Sequence, residues 1–179
     1  MTILEELIEY ANNCISDVKK SEYEDYISCQ AHKWACQRFL NDVERSSSES
    51  CFFYWDEEEA KKIVEWFSLL RHSKGILAGK PIELTPWQKF NDCQIYGWRR
   101  KKDGRRRFRK AFRQVARKNA KSQEEAGMCL YEAAVTATKN GEVNEIYTAG
   151  TKRDQSKIVF TEAGLMLRGS PLRPKFKIS

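Results

Sequence analysis

The sequence predicts an α/β fold, a helical N-terminal leader followed by an incomplete parallel sheet in the order strand–turn–helix–strand–helix. Three observations predict it. From Glu22 to Trp98 apolar residues recur at helical spacing between recognisable caps. Beyond Phe108, short runs of bulky residues alternate with helix-length apolar stripes, the pattern of βα units. Between the two lies the basic segment Arg99–Arg107, so the leader is set at residues 1–100 and the core at 101–179.

The elements follow in order. Tyr23, Tyr26, Ile27, Ala31, Trp34, Ala35 and Phe39 give a first helix from about Glu22 to Asn41. Ser46–Ser50 reads as a surface loop. Asp56 is an N-cap with Glu59 completing a capping box, and the stripe Ala60, Ile63, Val64, Phe67, Leu70 follows. Thr85, Pro86 and Gln88 open a third helix that runs to about Trp98. Arg99–Arg107 is an exposed loop or hairpin turn with Asp103-Gly104 at its tip. Phe108–Ala116 is predicted as a strand, Arg117–Lys121 as a turn, and Ser122–Thr138 as a helix ended by Asn140-Gly141. A strand over Asn144–Ala149 and a helix over Lys152–Leu167 complete the pattern.

Composition narrows the class. Of 179 residues, 41% are hydrophobic, enough for a core, and no apolar run approaches the roughly 18 residues of a membrane span. Met1–Tyr10 alternates acids with aliphatics and lacks the basic start of a secretory signal, so a soluble cytoplasmic protein, with no membrane partner, is expected. The six cysteines contain no C-x-x-C pair and read as reduced, buried thiols. Cys29, His32 and Cys36 would share a helix face. Without a second pair at zinc-site spacing, they read as core. The net charge of +7 is concentrated: twelve Lys/Arg and one acid lie between Arg99 and Lys118, an excess of +11, leaving −4 elsewhere. Arg99, Arg100, Lys101, Lys102, Arg105, Arg106 and Arg107 are the candidate DNA contacts, with partner contact or a solvated surface as the other readings.

One turn carries candidate chemistry. Val115-Ala-Arg-Lys-Asn-Ala-Lys-Ser122 sets Lys121 and Ser122 in register with the phosphate loop G-x-x-x-x-G-K-[ST], with Val115 and Ala120 at both glycine positions. In such a P-loop the backbone N–H groups at the helix start cradle phosphates, the lysine neutralises the β- and γ-phosphates, and the serine ligates Mg²⁺. Alanine at 120 costs about 1–2 kcal/mol if the site requires a left-handed backbone. The bland reading is a helix start in a basic segment.

The stretch from Tyr26 to Phe160 resembles the N-terminal part of the large subunit of tailed-phage terminases, which are DNA-packaging motors. The resemblance rests on Lys33-Trp-Ala-Cys-Gln-Arg-Phe-Leu-Asn-Asp42, Glu57–Phe67, Leu70-Arg-His-Ser-Lys-Gly75 and Leu77-Ala-Gly-Lys-Pro-Ile-Glu-Leu84. It continues in Pro86-Trp-Gln-Lys-Phe90, Tyr96-Gly-Trp-Arg99, Ala116-Arg-Lys-Asn-Ala-Lys-Ser122 and Arg153-Asp-Gln-Ser-Lys-Ile-Val-Phe160, about three quarters of the chain in all. It implies a P-loop ATPase core in which a degenerate Walker A loop, Arg117, Lys118, Asn119, Ala120, Lys121 and Ser122, binds ATP with Mg²⁺ on Ser122. Arg117 would sense the γ-phosphate. The family's loop resembles R-[KQ]-N-G-K-S, so Ala120 is the departure. Trp87-Gln88 is similar to an adenine-side motif, which sets Gln88 against the nucleotide. Gln88 is equally where a capping-box glutamine belongs.

The resemblance also implies partners: double-stranded DNA, terminase or portal-like proteins, or further copies of the chain. The family's second carboxylate-bearing strand, Walker B, and its nuclease are expected beyond Ser179, so the chain reads as a truncation or a split gene product that is inactive alone. Two functions are expected of it. One is the N-terminal fragment of a terminase-like packaging motor. The other is a stand-alone, catalytically inactive binding protein, a decoy or regulator of a motor or of a defence protein.

Overall fold

The computed structural model describes residues 1–21, 25–141 and 143–176. The first element is a helix that sequence reading missed. Helix α1, Ile3–Ile15, opens on a capping box in which Thr2 Oγ1 accepts from the Glu5 N–H at 3.1 Å and Glu5 answers to the Thr2 N–H at 2.8 Å. It buries Leu7, Ala11 and Cys14, spaced at i, i+4, i+7.

Helix α2, Gln30–Ser46, begins later than expected. Glu22–Glu24 fall outside the described residues. Asp25–Ser28 is not helical, because local side chains outcompete the helix for its backbone. Asp25 Oδ1 accepts from the Ile27 N–H at 2.9 Å, Asp17 Oδ1 from the Ser28 N–H at 3.2 Å, and the Tyr26 N–H donates to Val18 O. Helix α3, Glu57–Leu69, starts as predicted, with Asp56 Oδ1 accepting from the Glu59 N–H at 3.1 Å. Helix α4, Pro86–Gly97, likewise has Thr85, Pro86 and Gln88 in their predicted places.

The strands depart most from expectation. Among the described residues the sheet is a two-stranded antiparallel ribbon, β1 (Phe53–Trp55) with β2 (Trp98–Arg100), pairing Phe53 with Arg100 and Trp55 with Trp98. Phe108–Ala116 and Asn144–Ala149 form no ladder, so the expected parallel sheet is not present among the described residues. The physical reason is that parallel strands are stabilised by neighbours and by cover on both faces. Neither segment pairs with another strand among the described residues, and Phe112, Ile146 and Tyr147 are 90%, 41% and 83% exposed.

Helix α5, Lys121–Tyr131, continues through a π-helical turn, Glu132–Thr136, into α6, Ala137–Asn140, which ends on Gly141 at φ 65° as predicted. Helix α7, Arg153–Leu167, also matches its prediction.

The chain divides into two compact units: Met1–Ile63 with Leu84–Ala111, and Val64–Glu83 with Phe112–Ser179. In the first, an aromatic cluster forms the core. Phe39 meets Phe90 edge-on at 5.2 Å and Trp98 at 6.2 Å, and Trp98 meets Phe53 at 5.3 Å. In the second, α5 packs with α7, and Trp66 and Phe67 of α3 meet α5, Trp66 edge-on to Tyr131 at 5.7 Å and Phe67 against Gly127. Trp66 Nε1 donates to Gly127 O at 2.9 Å. A Cβ at Gly127 would lie 2.3 Å from Phe67, so only glycine permits this approach. Among the described residues no helix is long and apolar enough to cross a membrane.

Candidate functional site

The loop before α5 lies in the second unit. Arg117 and Lys118 form a turn, and Asn119 Nδ2 donates to Ala116 O at 3.1 Å, closing the loop on itself. Two residues in it adopt positive φ: Lys118 at 71° and Ala120 at 53°, the latter with ψ 16°. Both are in the left-handed region that glycine enters without penalty. Ala120 is the N-cap of α5 and brings no side-chain acceptor to the helix start. Its carbonyl takes the Glu124 N–H at 3.0 Å. The first turn of the helix therefore has the polarity and open N–H groups that favour an anion.

Around that turn Arg117, Lys118, Asn119, Ala120 and Lys121 are exposed and Ser122 is half-buried. Behind it, the buried Glu124 carboxylate pairs with Arg113, and His72 Nδ1 lies 3.1 Å from Gln123 Oε1. His72 also closes the glycine-containing loop 72–80, its carbonyl accepting from the Gly79 N–H and its N–H donating to Lys80 O. These contacts fix the start of α5 from beneath. They leave the loop's outer face to solvent.

Gln88 belongs to the first unit. It is buried, and its Oε1 accepts from the Thr85 N–H at 3.0 Å and the Thr85 hydroxyl at 2.8 Å. That is the capping geometry the sequence offered as one of two readings.

The basic segment divides into residues that hold the fold and residues that face water. Asp103 and Gly104 form the turn expected of them, Gly104 at φ 65°. Arg99 is buried and ion-paired with Glu59. Arg107 forks onto the buried Asp42 through two bonds, 2.8 and 3.2 Å, and its guanidinium lies 3.6 Å from the centre of the Phe53 ring. Arg106 stacks over Tyr96 at 5.1 Å. Arg100 closes the turn on Asp103, whose carboxyl is held below its ordinary pKa by the Arg105 N–H and by Arg100. Lys101, Lys102 and Arg105 are exposed, Lys101 with one bond to Ser48 O at 3.0 Å. Charge density alone could not separate these roles. The signal that could have is the acid complement in the helices, Asp42 and Glu59, on faces otherwise apolar.

A family model describing the terminase large subunit, ATPase domain, matches residues 86–178. The chain belongs to that family. The match begins at the first residue of α4 and takes in the basic segment, the loop, α5 and α7. No curated protein and no solved structure matches the chain. As a terminase-family chain it is a relative of packaging ATPases, and nucleotide with Mg²⁺ is the ligand class the family uses.

Proposed function

We propose that residues 117–122 form a degenerate Walker A loop that holds a Mg²⁺-nucleotide weakly, in a terminase-type packaging motor. The observation that carries this reading is Ala120. The family pattern in the sequence calls for glycine there, and the alanine occupies the left-handed conformation a glycine would adopt. In this reading the N–H groups of Lys121 and Ser122 receive phosphate oxygens, Lys121 neutralises the β- and γ-phosphates, Ser122 places its hydroxyl on Mg²⁺, and Arg117 meets the γ-phosphate. Lys118 and Asn119 shape the loop. An adenine contact by Gln88 competes with its two bonds to Thr85. Segments 108–116 and 144–149 are the strand positions flanking such a loop. Lys101, Lys102 and Arg105 are the DNA-phosphate contacts of the basic segment, since the other cations there are tied into the fold.

In the same reading the 179-residue chain binds nucleotide without turning it over. Hydrolysis at a phosphate loop needs a carboxylate for Mg²⁺ and one to polarise water. The adjacent acids that follow Ser122, Glu124 and Glu125, are on α5 itself, and Glu124 is committed to Arg113. The Cβ at Ala120, crowding the phosphates, favours the second reading, a terminase-like protein acting by binding alone. A steady-state phosphate-release assay tests the claim of binding without turnover. We expect background rates. Turnover abolished by Lys121→Ala would overturn it.

A further inference from the structure

We propose that Cys14, His32 and Cys36 form a zinc site between α1 and α2, with a fourth coordination position open beside the Tyr10 hydroxyl. The site lies in the first unit and is independent of the nucleotide loop. Its ligands come together through the helix pairing. His32 and Cys36 are one turn apart on α2 and share a face. Cys14 is in the last turn of α1, which packs on α2. One ligand atom from each of the three lies within 4.8 Å of the others, and this is the one such group among the described residues. Cys29, the residue that sequence spacing suggested, is instead the exposed N-cap of α2.

The chemistry of the donors selects the ion. Two thiols and an imidazole suit a borderline-soft cation of tetrahedral preference, whereas Mg²⁺ and Ca²⁺ require oxygen ligands. With Zn–S near 2.3 Å, tetrahedral coordination sets the sulfurs about 3.8 Å apart, so the two sulfurs, within 4.8 Å of each other, need to close by about 1 Å at most. Binding exchanges two thiol protons for the dication, so the occupied site is neutral inside its apolar surroundings. Those surroundings are already built. Cys14 and Cys36 are 1% and 0% exposed, and neither is in a disulfide. The Phe90 ring packs against Tyr10 at 5.0 Å and His32 at 5.8 Å. Tyr10 Oη lies 3.0 Å from His32 Nε2, where it can orient the ring or approach the ion. Three protein ligands with one open position is a zinc arrangement that also accepts an exogenous water.

Cobalt(II) is the probe. The reduced full chain, stripped with chelator, is titrated with Co²⁺ and then with Zn²⁺. We expect one equivalent of cobalt, with thiolate-to-cobalt charge-transfer absorption and the intense visible bands of tetrahedral geometry, both erased by one equivalent of zinc. Cys36→Ser should lose about half the charge-transfer intensity and at least about tenfold in affinity. Cys29→Ser should retain both. Circular dichroism establishes that each variant is folded, and His32→Gln, at a half-buried position, serves if Cys36→Ser does not fold. A weak octahedral spectrum with no thiolate band, or equal zinc affinity in parent and variants, would overturn the site.

Discussion

Replacing Ala120 with glycine should stabilise the protein. Ala120 sits at φ 53°, ψ 16° at the start of α5, a conformation that costs an L-residue with a Cβ about 1–2 kcal/mol. Glycine removes that cost and adds unfolded-chain entropy, which returns about 0.4–1 kcal/mol to the unfolded side. The difference is a net gain of about 0.5–1 kcal/mol. For a chain of this length, each kcal/mol shifts Tm by about 2–4 °C, so Ala120→Gly should melt about 1–4 °C higher. The assay is thermal denaturation followed by circular dichroism. Two controls make it specific. Lys118→Gly, at φ 71°, should gain in the same direction, and Ala116→Gly, where φ is not positive, should gain nothing. An unchanged or lowered Tm for Ala120→Gly would show that position 120 carries no strain. The argument that alanine occupies a glycine position would then fail.

Other expectations follow from the same contacts. Arg107→Ala should destabilise in urea denaturation by less than the about 3–5 kcal/mol of a fully broken buried pair, because the Asp42 carboxylate, 3% exposed, loses its fork and keeps only Arg45 at 3.5 Å. Arg107→Lys should restore only part of the loss, since an ammonium cannot reproduce the fork. If the exposed cations meet DNA phosphates, the triple change Lys101→Ala, Lys102→Ala, Arg105→Ala should flatten the slope of log K against log salt by about 2.7 units, at about 0.9 per phosphate. An unchanged slope would assign these residues to a protein contact or to solvent. The Asp17 carboxyl is held below its ordinary pKa of 3.8, first by its hydrogen bond from Lys33. Its folded pKa is depressed, so its contribution to stability is present above that value and is lost as pH falls through the lower, folded pKa. Nuclear magnetic resonance titration should show this depression, and Lys33→Ala should move the pKa back up.

The helices were legible where a cap and a stripe agreed. Asp56 with Glu59, and Thr85 with Pro86 and Gln88, set the starts of α3 and α4 by side-chain geometry that is local in sequence. Helix α1 carries the same signal in Thr2 and Glu5. Helix α2 starts later than apolar spacing predicts because that spacing says nothing of Asp25 and Asp17, whose carboxylates take the Ile27 and Ser28 N–H groups. The strands failed for a different reason. A strand is a relation between segments, and bulky residues at Phe108 and Phe112 do not reveal whether a neighbour exists. Within the candidate loop, Lys121 and Ser122 were placed by motif register, and the backbone of Ala120 followed from the chemistry a glycine serves. The division of the arginines was not legible, because their partners Asp42 and Glu59 are distant in sequence. Cys14 joined His32 and Cys36 only through the packing of α1 on α2.

Calorimetry with Mg·ATP on the parent chain and on Lys121→Ala tests the central claim most directly. The account predicts weak, saturable binding to the parent. It predicts a loss of about 1.5–3 kcal/mol, roughly 10- to 150-fold, in the variant, as expected for removing a charge-assisted contact to phosphate. Binding of equal strength to both chains, or no binding to either, would contradict it.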